Sequence, residues 1–279
     1  MDRCAVIVHG GAANQGPGDW FKKGYIRDVA KSAWEKIGKG AAAIEVAEQA
    51  VIDLEDSRLF NAGMGSYATK ENTLEMDAGI MDGRTLACGG VGAISDVKNP
   101  VAVASKVMSL SDHSVIVGPG ALSFALSHGM EKYTMELREN MDHEKLGTVG
   151  AAILDTHGDM AAAVSTGGTG TMPSGRVGAS AIAGSGYYAK NGAGAAATTG
   201  NGDTLLMSGT ARRCCELMEK KSAAQAASDL SVKELGALPG GMGGIISVDA
   251  NGEIGFSFNT TSMTYACIND RMDEIWVSL

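Results

Sequence analysis

HEKLGTVGAAILDTHGDMAAAVSTGG, residues 143–168, decides the reading of this chain. Two apolar runs, TVGAAILD (148–155) and DMAAAVST (159–166), flank the turn THG at 156–158, a pattern that predicts a β-hairpin. Its first strand opens on Gly147-Thr148. A β-branched threonine suits a strand, but as a nucleophile Thr148 has no side-chain base beside it in the sequence. Cleavage of the Gly147-Thr148 bond supplies one. An α-amine, with a reference pKa of about 7.7–8.0, is partly neutral at neutral pH and accepts the proton of its own residue's hydroxyl. Glycine before the cut fits as well, since it tolerates strained dihedrals that press its carbonyl carbon toward the hydroxyl for an N-to-O acyl shift.

Outward from the hairpin, the pattern alternates between strands and helices. Cys4 to Val8 is an apolar run stopped by His9-Gly10-Gly11, a buried strand with flexible backbone after it. Helical spacing follows over about 21–37 (Val29, Ala33, Trp34, Ile37) and 41–54 (Ile44, Ala47, Val51, Leu54). TLEMDAGIMDG and TLACGGVGAI are glycine-broken strands, and 100–110 and 120–127 are helices. The charged segment 131–146 is read as an exposed connecting helix. On the other side, helices are expected over 204–220 and 222–235, then a second hairpin, GGIISVD, ANG, EIGFSF. Sheets covered by helices account for the order, and close-packed layers account for the Gly, Ala and Val content.

Composition narrows the chemistry. The 279 residues suffice for one large core or two modest ones, and 39 glycines against 5 prolines without a G-X-Y period exclude collagen and disorder. A net charge of −9 argues against nucleic acid and anionic membrane as partners, and for a small neutral or polar substrate. The five-residue apolar run near the N-terminus is short for a secretory segment and nothing is long enough to span a bilayer, so a cytoplasmic location is expected. The five cysteines (Cys4, Cys88, Cys214, Cys215, Cys267) show no C-x-x-C spacing and read as reduced, buried residues. P-loop, H-E-x-x-H and G-x-S-x-G patterns are missing, and the glycine clusters GNGD and GGMGG lack a dinucleotide fingerprint. HGG at 9–11 has no serine elbow to serve as an esterase oxyanion loop.

Taken together, GTVGAAILDTHGDMAAAVSTGG, GRVGAS and AAATTGNGD, with VHGGA, LFNAGMGSYAT, MDAGIMDG and FNTTSM elsewhere, resemble the plant-type asparaginase, isoaspartyl peptidase and glycosylasparaginase family of N-terminal-nucleophile hydrolases. The resemblance implies an α+β fold, a four-layer αββα sandwich forming one domain over 1–279. It implies self-cleavage at Gly147-Thr148 into an α chain, 1–147, and a β chain, 148–279, and a homodimer of αβ units. Thr148 is then the nucleophile and Thr166 the threonine that orients it. Thr199 and the Gly200 N–H form the oxyanion hole, Arg176 holds the substrate α-carboxylate, and the Gly202 carbonyl faces its amine. No cofactor is implied beyond a structural sodium ion, held by the backbone carbonyls of Leu54, Glu55, Ser57, Phe60, Ala62 and Met64.

One residue departs from the family pattern: GRVGAS carries Ala179 where asparaginases and isoaspartyl peptidases have an aspartate that pairs with the substrate ammonium. The implied activity is hydrolysis of the side-chain amide of L-asparagine or β-aspartyl peptides through a Thr148 acyl-enzyme. The alternatives are a taspase-like protease or amidase for substrates without a free α-amine, and an unprocessed, inactive scaffold.

Overall fold

The structure, a computed structural model, describes residues 3–13, 20–136, 147–170 and 172–278. Twelve strands in two sheets and seven α-helices are found among them. The N-terminal part runs β1 (Ala5–Ala13), α1 (Trp20–Gly38), α2 (Ala43–Asp56), β2 (Met76–Asp82), β3 (Cys88–Ile94), α3 (Pro100–Leu110), β4 (Val115–Val117) and α4 (Gly118–Ser127). The rest runs β5 (Val149–Leu154), β6 (Met160–Thr166), β7 (Tyr187–Lys190), β8 (Gly194–Gly200), α5 (Gly202–Ser208), α6 (Thr210–Glu219), α7 (Ala224–Gly236), β9 (Gly243–Asp249), β10 (Ile254–Phe258), β11 (Ser262–Asn269) and β12 (Trp276–Val277). The fold is α+β.

The larger sheet has the order β12-β11-β1-β5-β6-β2-β3-β4, antiparallel except for β3 with β4; the smaller has the antiparallel order β10-β9-β8-β7. Period-2 alternation sorts the side chains into separate cores. On β5, Ala151 and Ile153 join the cluster formed with α1–α4, while Ala152 and Leu154 join Tyr187, Ala195, Ala197, Ile246 and Val248 of the smaller sheet. The smaller sheet turns Ala196 and Ile245 toward Cys214, Cys215 and Ala227 of α6 and α7. Alanine and glycine predominate where layers face each other because small side chains allow close approach. All five cysteines are free, and all but Cys88 are buried.

The hairpin of 148–166 forms as predicted, with Val149 opposite Ser165 and Leu154 opposite Met160. The expected helix over 204–220 is instead two helices: Gly209 adopts φ 60° and ends α5, and α6 begins at Thr210. The connecting helix expected over 131–146 is not helical over 131–136, where Asp96 ties the chain down through its carbonyl to Tyr133 N–H and its carboxylate to Thr134 and Lys132. Residues 137–146 lie outside the described residues. No described helix is long and apolar enough to cross a membrane.

Candidate active site

The hairpin register places the two threonines. Since Val149 pairs with Ser165, Thr148 stands at the next step beside Thr166, and Thr148 Oγ1 donates to Thr166 Oγ1 at 3.1 Å. Thr166 Oγ1 also accepts the Gly168 N–H at 3.2 Å, which fixes its orientation. β8 contributes the third threonine: Thr199 is buried, and its hydroxyl oxygen accepts the Ala12 N–H at 3.2 Å. A hydroxyl occupied as an acceptor in this way keeps its own proton to donate. Gly200 follows with φ +133°, where a Cβ would meet Met242 O at 2.3 Å, so neither the backbone angle nor the space admits a side chain.

Thr148, Thr166, Arg176, Ala179, Thr199, Gly200 and Gly202 all line one pocket. The structure thus brings together every pocket residue expected from the sequence. The Arg176 side chain is only 15% exposed and donates through Nη2 to Asp203 Oδ1 at 3.1 Å. Gly202 opens α5, whose first turn is capped by Asn201 accepting the Asp203 and Thr204 N–H groups. Ala179 begins a short 3₁₀ turn, Ala179–Ala181, and packs with Leu205 and Leu235.

The Gly147-Thr148 bond is held from two sides. Gly147 is buried, its carbonyl accepts the Asn61 N–H at 3.1 Å, and its Cα lies against Gly11. Asn61 further donates through Nδ2 to Gly168 O at 2.7 Å and accepts the Gly167 N–H at its own carbonyl. It therefore couples Gly147 to the turn after Thr166. Asp77, on β2, is buried behind the Arg176 loop, with Oδ1 accepting Ala93 N–H and Oδ2 accepting Gly178 N–H. Burial raises its pKa to about 6, against the pull of those two N–H groups and Arg176. Neither Asn61 nor Asp77 stood out as a site residue in the sequence, although each lay within a resembling motif; a carboxylate near the start of the otherwise apolar strand MDAGIMD was the available signal.

His9 is wholly buried beside the Thr148 backbone, with Nε2 2.5 Å from where a Gly150 Cβ would stand. Neither ring nitrogen has a well-formed hydrogen bond. Burial pulls its pKa down to about 3, with the Thr148 backbone offsetting part of the effect, so the imidazole is neutral at neutral pH.

Among the described residues, no group of three or more His, Cys, Asp or Glu side chains is placed to hold a metal ion. The carbonyl-rich segment 54–64 coils back on itself at the end of α2: Leu54 O accepts the Ser57 hydroxyl and Ala62 O accepts the Gly65 N–H. Glu55 is buried there, Oε1 accepting Val101 N–H and Oε2 lacking a partner. Burial raises its pKa to about 8, with Ser165, Val101 N–H and Asn99 opposing.

The chain matches the asparaginase family over residues 2–140 and 133–277. It is 36% identical over 294 residues to an isoaspartyl peptidase/L-asparaginase of Xenopus laevis, covering 98% of this chain and 94% of the relative. It is 37% identical to a plant-type L-asparaginase of Thermococcus kodakarensis, covering 97% and 98%. It is 36% identical to an isoaspartyl peptidase of Escherichia coli, covering 94% and 92%. With matches running through both halves of the chain and through the strands that carry the three threonines, the chain belongs to the asparaginase family of amide-bond hydrolases.

Proposed function

We propose that this protein is a self-processing threonine amidohydrolase that cleaves the side-chain amide of L-asparagine or of β-aspartyl peptides. The observation that carries the reading is the 3.1 Å bond from Thr148 Oγ1 to Thr166 Oγ1 in a pocket shared with Thr199 and Arg176. In processing, Thr148 Oγ1 attacks the Gly147 carbonyl carbon, the Thr148 nitrogen leaves with a proton, and water hydrolyses the resulting ester. The products are an α chain, 1–147, ending in a carboxylate and a β chain, 148–279, starting with an amine. In turnover, that amine takes the hydroxyl proton as Oγ1 attacks the substrate amide, then passes it to the leaving nitrogen. The Thr199 hydroxyl and Gly200 N–H stabilise the oxyanion; each such donor contributes about 2.7–4 kcal/mol in comparable sites. Arg176 grips the α-carboxylate through a planar fork.

The layering of helices, two sheets and helices is read as the four-layer αββα sandwich of this class, in a single domain. The reading extends to a homodimer of αβ units in the cytoplasm, checked by light scattering and by cell fractionation. It includes a structural sodium ion on the carbonyls of Leu54, Glu55, Ser57, Phe60, Ala62 and Met64. This all-oxygen donor set suits a hard cation, which would brace the loop carrying Asn61 without entering the chemistry. The deciding experiment incubates purified protein until intact mass shows two chains, then assays ammonia release from L-asparagine and amino-acid release from β-aspartyl dipeptides. Cleavage with neither activity refutes the reading.

A further inference from the structure

The pocket is charged on one side only. Among the described residues lining it, Arg176 is the one charged group. The guanidinium lies between two backbones: a Cβ on Gly178 would stand 2.6 Å from Nη1, and one on Gly202 2.7 Å from Nη2. This flat slot presents a fork to a carboxylate. Three acids are close to this loop, and each is engaged; Glu75 accepts the Gly175 N–H at 2.6 Å. Asp77 sits behind the loop with its two oxygens on Ala93 and Gly178 N–H groups. Asp203 already accepts from Arg176, and its side chain is 72% exposed.

The rest of the described wall is uncharged: threonine and Ser180 hydroxyls and glycine backbone, with an apolar patch at Ala179 and Leu205. Ala179 and Leu205 line the pocket, and both pack with Leu235. An α-ammonium brought in with its carboxylate on Arg176 would be desolvated with no carboxylate among the described lining residues to meet it. Its charge would also oppose the amine of Thr148 freed by cleavage. Burying a cation in that way is costly. An acylated α-nitrogen carries no charge, and its acyl group has the apolar patch of Ala179 and Leu205 to lie on.

Resting on the hydrolase reading above, we propose that this site takes β-aspartyl amides whose α-carboxylate is free and whose α-nitrogen is acylated. An isoaspartyl residue inside a peptide chain has this chemistry: the preceding residue acylates its nitrogen, its α-carboxylate is free, and its side-chain carbonyl carries the chain onward. The enzyme is then an endopeptidase at isoaspartyl linkages. Thr148 Oγ1 forms an ester with the side-chain carbonyl carbon as the C–N bond to the downstream segment breaks. The departing nitrogen takes the proton held by the Thr148 amine, and water releases an upstream peptide ending in aspartate.

The test uses self-cleaved wild-type enzyme at one pH with β-aspartyl-leucine, its N-acetyl derivative, and a peptide with one internal isoaspartyl linkage. The expected result is a kcat/KM for the acetylated dipeptide at least about tenfold above the free one, arising in KM, with the longer peptide cut at its isoaspartyl bond. Ala179→Asp should reverse the preference, while the uncharged Ala179→Asn should not. Equal or better hydrolysis of the free dipeptide by wild type overturns the inference and leaves the hydrolase reading standing. Failure of a cleaved enzyme to hydrolyse any of the three overturns both. Where Ala179→Asp does not fold, the wild-type ratio decides alone.

Discussion

Gly11 and Gly147 meet backbone to backbone: a Cβ on Gly11 would stand 2.3 Å from Gly147 Cα, and one on Gly147 2.4 Å from Gly11 Cα. The pairing of β1 with β11 slips between His9 and Ala12, a bulge that carries Gly10 and Gly11 beside the bond before Thr148. Gly11 also has φ +107°, which L side chains rarely adopt. Gly11→Ala should therefore push Gly147 away from Asn61, destabilise the uncleaved chain by about 1–3 kcal/mol, and slow self-cleavage. Thermal melting and intact mass over time measure the two effects; cleavage at the wild-type rate would show that this contact does not position the bond.

Thr148→Ala should remain one chain indefinitely, and Thr166→Val should cleave slowly, because the valine keeps the shape but removes the acceptor 3.1 Å from Thr148 Oγ1. Misplacing a nucleophile by a fraction of an ångström to an ångström costs up to about 100-fold. Denaturing gels sampled over days give the rates. A Thr166→Val protein that cleaves as fast as wild type would remove Thr166 from the mechanism.

What was legible in the sequence is the part carried by local pattern. The hairpin follows from two apolar runs flanking the turn THG, and the roles of the threonines at its open ends from the family resemblance. The strands β7 and β8 did not stand out, because AAATTG lacks the bulky β-branched run by which a buried strand is read, and its alanines are explained only by the layers packed on both sides. Arg176 was assigned by resemblance; its slot between Gly178 and Gly202 depends on two segments that meet only in three dimensions. Asn61 and Asp77 act through backbone partners distant in sequence, which no spacing rule exposes.

Stability should fall as pH rises from about 6.5 to 8. Glu55 has its pKa raised from 4.5 to about 8, so the folded chain keeps a proton the unfolded chain has lost, and its contribution is full at low pH and fades as pH climbs. His9 has the opposite sign: lowered from 6.5 to about 3, it favours the fold above 6.5 and opposes it as pH drops. Asp77, raised to about 6, acts mainly below that window. Melting the uncleaved Thr148→Ala protein across pH should give a slope of at most about 1.4 kcal/mol per pH unit. Glu55→Gln should flatten that slope above pH 6.5; an unchanged slope would assign it to another group.

Asp203 is the remaining acid beside Arg176, and its substitution separates two roles. If Asp203 held a substrate ammonium, Asp203→Asn would raise KM for free β-aspartyl-leucine and leave the N-acetyl derivative untouched. The structure instead has Asp203 on the Arg176 guanidinium at 3.1 Å, in the first turn of α5, with its side chain largely in solvent. There it competes with the substrate carboxylate for one face of the fork. A half-exposed pair of this kind contributes about 0–1 kcal/mol, so removing the competitor should lower KM for both substrates alike by up to about fivefold, with kcat and the melting temperature nearly unchanged. Michaelis–Menten analysis of both dipeptides on both proteins reads this directly. A KM that rises for the free amine alone would make Asp203 the ammonium partner and give the pocket the carboxylate that Ala179 does not supply.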